Sequence, residues 1–198
     1  MYAKKSGIKK IAVLLLAVVL LIGGTIGGTL AWLSAQTNEI TNTFTVGKIT
    51  ITLAETTGEN YKIVPGGTEA KDPKITVEKG SEKCYVYALI TNDVKLTDGT
   101  VGAEPNIDST KWEQIKVSGN KTLYRYIGTN ASNNIVDATS AAVECPVFTQ
   151  VKYDDGITET TITQLDGKTI VIDAFAHQSD NTDQATADAA AIAHFQLG

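Results

Sequence analysis

The sequence is poor in the residue types that most enzyme sites require. Its 198 residues include two cysteines and two histidines, and the motifs HExxH, GxSxG and GxxxxGK[ST] are absent. The common zinc-protease, serine-hydrolase and nucleotide-hydrolysing mechanisms therefore lack their parts. With so few partners available, His177 and His194 are expected to be structural. We predict no catalytic residue, no metal ligand and no cofactor, and we expect that the chain is not an enzyme.

The N-terminal region has the pattern of an export signal. The first ten residues carry four lysines and no acid, and twelve apolar residues follow from Ile11 to Ile22. That run is shorter than the roughly 20 apolar residues of a membrane span, so we expect cleavage by a signal peptidase. Thr29 and Ala31 fit positions −3 and −1, which places the cut between Ala31 and Trp32. The alternative is an uncleaved anchor, and membrane contact is expected only through this uncleaved signal.

The chain that remains after cleavage is acidic. Removing residues 1–31 takes away four of the seventeen basic residues and none of the twenty-two acids, which leaves a net charge of −9. Its length is typical of one domain, and its charge offers no basic patch for nucleic acid. We therefore predict a protein that is secreted to the extracellular matrix or the cell surface.

The two cysteines lie in the exported part of the chain. Oxidising conditions outside the cell permit a disulfide between Cys84 and Cys145, and one pair allows only one connectivity. Two small buried residues on neighbouring strands that never bond are an equally good interpretation, because free cysteine packs well in cores.

Strand patterns dominate the exported part. Apolar residues alternate in FTVGKITITLAE and in GKTIVIDAFAHQ, whereas CYVYALI is apolar on both faces, as in a central strand. WEQIKVSGNKTLYRYIG is typical of a hairpin, and LTDGTVGAEPNIDST reads as a long polar connection. A two-sheet antiparallel sandwich is therefore the predicted architecture.

One helix is expected near the C-terminus, over about residues 182–196, because alanine is frequent there and Asn181 or Thr182 can cap it. Ala185, Ala189 and Ile192 would share the face that docks on the sheets. The predicted organisation is thus all-β: a signal peptide with a signal helix over 1–31, an N-terminal segment over 32–43, and a sandwich with a C-terminal helix over 44–198.

Several stretches together resemble the TasA and camelysin-like proteins, whose signals are cut by a dedicated peptidase of the endoplasmic-reticulum type, SipW. The most specific are the junction Gly27 to Leu33, the NTFTVG run from Asn42 to Gly47, and the late strand ending at Ala174 to Gln178. The VPGG turn from Val64 to Gly67 is a weaker part of the resemblance.

The resemblance implies a jelly-roll sandwich that polymerises into fibres of a biofilm matrix, alone or with related matrix subunits. In that family the N-terminal segment of one mature subunit is donated to the sheet of the next. By position, the donor strand would run from Trp32 to Thr43, with Trp32, Leu33 and Ile40 as its apolar anchors.

Other interpretations stay open at this point. The segment from Trp32 to Thr43 could be a strand of its own subunit or a flexible terminus. The chain could be a surface adhesin or binding module that does not polymerise. Part of the resembled family carries a metalloprotease label, although the zinc ligands that such chemistry requires are missing from the sequence.

Overall fold

A computed structural model of the chain describes residues 13–17, 47–57, 62–96, 100, 102–128 and 131–198. The chain divides into two compact units, 1–45 and 46–198. In the first unit, residues 13–17 are helical with exposed side chains. Among the residues described, no helix is long and apolar enough to cross a membrane. The predicted cleavage site, with Thr29, Ala31 and Trp32, and the anchors Leu33 and Ile40 lie outside the described residues.

The second unit consists almost entirely of short strands. The strands are β1 (Ile51–Ala54), β2 (Thr68–Ala70), β3 (Lys74–Val77), β4 (Cys84–Asn92), β5 (Ala103–Ile107), β6 (Trp112–Ser118), β7 (Lys121–Tyr126), β8 (Ala131–Ser132), β9 (Ile135–Val136), β10 (Val143–Pro146), β11 (Phe148–Tyr153) and β12 (Ile170–Gln178). A short 3₁₀ helix spans Ile162–Leu165, and the α-helix α1 spans Gln184–His194.

One layer of the sandwich consists of two three-stranded sheets that meet at a bend. β3 pairs with β1 on one side and β10 on the other, while β11 pairs with β2 on one side and β5 on the other, all antiparallel. The two halves are continuous at the bend, because the Val147 N–H donates to the Pro73 carbonyl at 2.9 Å and the Lys71 N–H to the Thr149 carbonyl at 2.9 Å. Across the layer, β1 lies next to the segment that contains β2 and β3. That segment lies next to the one that contains β10 and β11, and β5 follows at the far side.

The other layer is built around β4. β12 pairs with β4 along its whole length, and on the opposite side of β4 lie β7 and β9, with β6 and β8 outside them. β6 and β7 form the predicted hairpin, whose turn has Gly119 at a φ of 62°, a left-handed conformation that favours glycine. β4 is the predicted central strand, and it is apolar on both faces because both faces are covered.

The two layers enclose the main core, and α1 covers the outer face of the β4 layer. Fully buried members of the core come from both layers, including Ile75, Val77, Val86, Ala88 and Val136. A second cluster, formed by Tyr87, Leu89, Leu123, Ala187 and Ala191, lies beneath α1. The prediction of an all-β antiparallel sandwich with a C-terminal helix is confirmed.

Two details differ from the sequence-based predictions. The predicted connection from Leu96 to Thr110 contains the strand β5, which forms at the margin of its sheet with Pro105 opposite Val151; proline is tolerated at such a margin. The predicted caps of α1 are also wrong, because Asp183 is the N-cap and accepts a hydrogen bond from the Thr186 N–H at 2.8 Å.

The face of α1 that docks on the sheet differs in part from the prediction. Ile192 packs against the cluster beneath the helix, as predicted. Ala187 and Ala191 are the buried alanines, however, whereas Ala185 and Ala189 are exposed. Alanine occupies most of the helix, so composition alone could not select the docking face.

Candidate functional site: the open edge of the sandwich

The first sign of an incomplete sandwich is on β1. Ile51 and Leu53 lie opposite Val77 and Ile75 on β3, and directly paired residues project from the same face of a sheet. Ile75 and Val77 are fully buried in the core, yet Leu53 is 40% exposed. An inward-facing leucine is therefore left partly uncovered at this edge.

The same condition holds on β12, at the edge of the other layer. Its inward-facing residues lie opposite core residues of β4, as Ile172 does opposite Ile90 and Ala174 opposite Ala88. The β4 partners of Ile172, Ala174 and Ala176 are buried, but those three residues and Ile170, at the start of β12, are only partly buried.

These two edges define one feature, which we call the edge groove. It lies between β1 and β12 and is lined by Ile51, Leu53, Ile172, Ala174 and Ala176. Cα atoms of β1 come within 8 Å of Cα atoms of β12. Among the described residues, β1 pairs only with β3 and β12 only with β4, so no described strand closes the groove.

β12 also presents a row of backbone groups to the edge groove. The Asp93 N–H donates to the Thr169 carbonyl at 3.0 Å, and the Ser179 N–H donates to the Lys83 carbonyl at 2.9 Å. In an antiparallel pair the hydrogen-bonded positions alternate along the strand, so the odd-numbered residues of β12 bond to β4. The N–H and C=O groups of the even-numbered residues point away from β4: Ile170, Ile172, Ala174, Ala176 and Gln178. Such a row is a template for a further strand.

A cavity of about 530 Å³, which we call the end cavity, lies at the Ile170 end of β12. Ile170, the first residue of β12, lines it, and buried Val151, Tyr153, Ala103 and Leu165 contribute to its walls. Three lysines and two acids also line it: Lys62, Lys71, Lys168, Glu69 and Asp166. The end cavity thus combines an apolar interior with charged groups.

Polar contacts fix the end of β1 that lies nearest the end cavity. The Lys71 ammonium pairs with the Glu55 carboxylate at 2.7 Å. The Asp72 carboxylate accepts hydrogen bonds from the Thr56 hydroxyl and from the N–H groups of Thr56 and Thr57, the latter two at 2.8 and 3.0 Å. These hydrogen bonds, that of the Thr56 hydroxyl first, lower the pKa of Asp72 to about 2.

The chain enters β1 at the opposite end of the edge groove. The Glu82 N–H donates to the Lys48 carbonyl at 3.1 Å, and the neighbouring Lys83 accepts from Ser179, just beyond the end of β12. Lys48 therefore lies near the Gln178 end of β12, whereas the end cavity lies at the Ile170 end. Nine residue steps separate Ile170 from Ser179, a distance of about 30 Å.

The outer face of the β4 layer is closed, in contrast to the edge groove. Arg125 of β7 is buried beneath α1, where it pairs with Asp188 of the helix and Glu113 of β6. The Tyr87 hydroxyl donates to Asp188 at 2.8 Å. Burial, and then this hydrogen bond, raise the pKa of Tyr87 above its ordinary value. Apolar packing and a buried ion pair together hold α1 in place.

Both cysteines lie in the main core. Cys84 of β4 and Cys145 of β10 belong to opposite layers and are fully buried. Burial raises the pKa of each thiol to about 12, and the charge of Cys84 adds to the effect at Cys145. The two interpretations made from the sequence, a disulfide and a pair of unbonded core residues, stay predictions.

The two histidines lie near a common aromatic side chain. His194 stacks on Phe175 with ring centroids 4.4 Å apart, and the centroid of His177 is 6.3 Å from that of Phe175. Within the ranges that the structure describes, no group of three or more histidine, cysteine, aspartate or glutamate residues is placed to hold a metal ion.

The sequence did not predict the edge groove. The alternating pattern places Ile172 and Ala174 on one face of their strand, and it places Leu53 on one face with Ile51. The sequence could not show that the outer edges of β1 and β12 lack a paired strand, because the alternation of side chains along a strand is the same whether or not a further strand pairs with it. The charged positions around the end cavity are also dispersed along the chain, from Lys62 to Lys168.

No family model matches this chain, and no curated protein does. The resemblance to the TasA and camelysin-like proteins therefore stays a prediction. Among solved structures, the chain is similar to a chain in the crystal structure of a cohesin–dockerin complex, at 15% sequence identity and a TM-score of 0.35. That match covers 68% of this chain and 91% of the other.

Proposed function

We propose that this protein is a secreted, non-enzymatic structural subunit that assembles outside the cell by donating the segment from Trp32 to Thr43 to the edge groove of another copy. The observation that carries the proposal is the edge groove itself, where inward-facing apolar residues are incompletely covered and backbone groups of β12 point outward. Resemblance to TasA-like matrix proteins supports the same function.

Strand addition would satisfy both requirements of the groove. Backbone hydrogen bonds to β12 would provide affinity, and side chains on one face of the donor would cover apolar residues such as Leu53 and Ile172. A strand hydrogen-bonded to both edges would hold β1 and β12 about 9.6 Å apart. Because some Cα atoms of the two strands now lie within 8 Å of each other, the edges would part there by at least about 1.6 Å on binding.

The positions of the donor attachment point and the end cavity favour an open chain of subunits. The donor joins the sandwich through Gly47 and Lys48, near the Gln178 end of β12, and the end cavity lies at the other end. A subunit that donates its own segment and accepts, at a different surface, the segment of another copy makes a head-to-tail contact, which need not close into a ring. Repetition of such a contact produces a filament.

A paired substitution tests the proposal in the chain from Trp32 to Gly198, the predicted cleavage product. Leu53→Lys places a charge in the edge groove, whereas Val117→Lys makes the same change on β6 at a valine that is 50% exposed. Leu53→Lys should lower the free energy of unfolding by about 1 to 2 kcal/mol, because that leucine is more than half covered, and Val117→Lys by less; both variants should stay folded. Only Leu53→Lys should prevent assembly.

Sedimentation velocity and negative-stain electron microscopy provide the measurement. Unsubstituted chain should form filaments or a ladder of oligomers, Val117→Lys should do the same, and Leu53→Lys should stay monomeric. A monomeric unsubstituted chain at high concentration would contradict the proposed function. Equal assembly by the two variants would show that the edge groove does not bind the donated segment.

The non-enzymatic part of the proposal has its own test. Incubation of purified mature chain with casein, with and without a chelator, should give no fragments in either case. Chelator-sensitive fragmentation would overturn this part and leave the assembly experiment unaffected.

A further inference from the structure

We propose that the end cavity binds a small organic amine, a molecule with an apolar body and one ammonium group, and that Glu69 of β2 receives the ammonium. This inference goes beyond the proposed function, because it concerns a ligand of each single subunit and does not require assembly. The observation behind it is a carboxylate that points toward the core and has no partner among the described residues.

The end cavity has the size and the walls of a small-molecule site. Its volume of about 530 Å³ falls within the range of about 300 to 1,000 Å³ that such sites occupy. Val94, Val151, Tyr153 and Leu165 line it, and all four are buried members of the main core. The apolar body of a ligand would therefore contact side chains that core packing already holds in place.

Glu69 projects toward this cavity from β2. It lies directly opposite Val151 on β11, and directly paired residues project from the same face of a sheet. Val151 is buried in the main core, so the Glu69 side chain also points toward the core, where it lines the end cavity. The Glu69 carboxylate forms no ion pair or hydrogen bond with any residue that the structure describes. A carboxylate partly withdrawn from water without a partner has lost solvation that a bound cation can replace.

Net charge does not select the ligand, but depth does. Apart from the ion pair between Lys71 and Glu55, the lining carries two acids and two lysines whose charges cancel: Glu69, Asp166, Lys62 and Lys168. Of these four, Glu69 is half-buried and the other three are exposed. Exposed charges interact weakly through water, and the interaction strengthens as the surroundings become less polar. Glu69 should therefore dominate the recognition of charge inside the cavity.

The chemistry of Glu69 and of the walls defines the ligand class. An ammonium group pairs with a carboxylate through short, charge-assisted hydrogen bonds. A carboxylate ligand would be repelled by Glu69, and an alcohol would hydrogen-bond to it without the attraction of opposite charges. The Tyr153 ring forms part of the wall, and such a surface favours an aromatic or aliphatic body. An apolar amine satisfies both the carboxylate and the walls.

Three probes that share one apolar body test the ligand class. The probes are 2-phenylethylammonium, 2-phenylethanol and 3-phenylpropionate, titrated at neutral pH against the chain from Trp32 to Gly198. The same titrations are made on Leu53→Lys, whose substitution lies outside the lining of the cavity. Amide chemical shifts report the affinity and the location. The ammonium should bind about five- to tenfold more tightly than the alcohol, with shifts around Glu69 and Leu165, and the carboxylate should bind most weakly.

Matched substitutions separate Glu69 from net charge. Glu69→Gln and Asp166→Asn each remove one negative charge from the lining with little change of shape. Glu69→Gln should weaken binding of the ammonium about five- to tenfold and change binding of the alcohol by less than about twofold. Asp166→Asn should change both by less than about twofold. Glu104→Gln, at an exposed position of β5 outside the lining, should have no effect.

Each outcome decides between this inference and another account of Glu69. An inward-pointing charge on a short strand can also discourage edge-to-edge pairing, a role that requires no ligand. Absence of saturable binding by all three probes would favour that role and overturn the proposal. Equal losses for Glu69→Gln and Asp166→Asn would overturn the assignment of Glu69. Failure of the unsubstituted chain to assemble would contradict the proposed function alone, because binding of the amine is expected with or without assembly.

Discussion

Leu53 and Ile75 are direct cross-strand neighbours on β1 and β3, and the sandwich that buries Ile75 completely leaves 40% of Leu53 exposed. Burial of a leucine is worth about 1.5 to 3 kcal/mol, so an inward-facing leucine left open is a source of binding free energy for whatever covers it. The same argument applies to the partly covered residues of β12. These two edges therefore distinguish this side of the molecule from the outer face beneath α1.

Proline substitution on β12 should separate edge function from stability. The Ala174 N–H points away from β4, whereas the Asp173 N–H bonds to β4. We expect Asp173→Pro to be less stable than Ala174→Pro by about 1 to 3 kcal/mol, because it leaves a ladder acceptor without its partner. Ala174→Pro should stay folded and assemble poorly. Urea unfolding and sedimentation measure the two effects, and equal stabilities would contradict the deduced pattern of hydrogen bonds.

Removal of the helix carboxylate should destabilise the sandwich more than removal of its exposed counterpart. Asp188→Ala leaves Arg125 buried without its helix partner, and such a loss costs about 3 to 5 kcal/mol. Glu113 is 53% exposed, so Glu113→Ala should cost less than about 1 kcal/mol. Equilibrium unfolding in urea gives both values. A similar cost for the two variants would mean that Asp188 does not dominate the pairing of Arg125.

Acid should loosen the chain just after β1. The pKa of Asp72 is lowered from 3.8 to about 2, so the charged carboxylate stabilises the folded state above pH 3.8, and this contribution is lost as the pH falls toward 2. Hydrogen exchange at the Thr56 and Thr57 amides should accelerate over that range, after correction for the intrinsic pH dependence of exchange. Asp72→Asn should abolish the transition. Asp108→Asn, at a second aspartate with a lowered pKa, should leave it unchanged.

Thiol reactivity should report the state of the two cysteines. Burial raises both pKa values to about 12, so folded protein should not react with a thiol reagent at neutral pH. Unreduced protein in denaturant should label at Cys84 and Cys145 if they never bond, and at neither if they are bridged. A bridge should add about 2 to 4 kcal/mol to the free energy of unfolding, which reductant would remove.

The predictable parts of the fold are those in which residues close together in the sequence indicate the environment of each residue. β4 was recognisable because both of its faces are buried, and the β6–β7 hairpin because its turn carries Gly119. β5 was missed because Pro105 and the flanking turn residues outweighed a short strand pattern. Its pairing with β11 comes from residues more than forty positions away.

The candidate site was less accessible to prediction for a related reason. Leu53 and Ile75 both lie at apolar positions of an alternating pattern. Only the arrangement of the layers covers Ile75 completely and leaves Leu53 partly exposed. The end cavity likewise depends on loops and strand ends that meet at one end of the sandwich. Lys62 and Lys168 read as ordinary solvated lysines until that arrangement is known.

In a polymer built by strand donation, each copy would pass on its donor segment through Lys48, and this has a consequence for the control of polymer length. A copy that lacks residues 32–43 could still receive a donor strand, but it would have nothing to pass on. Each such copy would act as a cap at one tip of the polymer. Small amounts would therefore shorten the products far more than their share of the total protein suggests, so proteolytic trimming before Gly47 would be an efficient way to limit length.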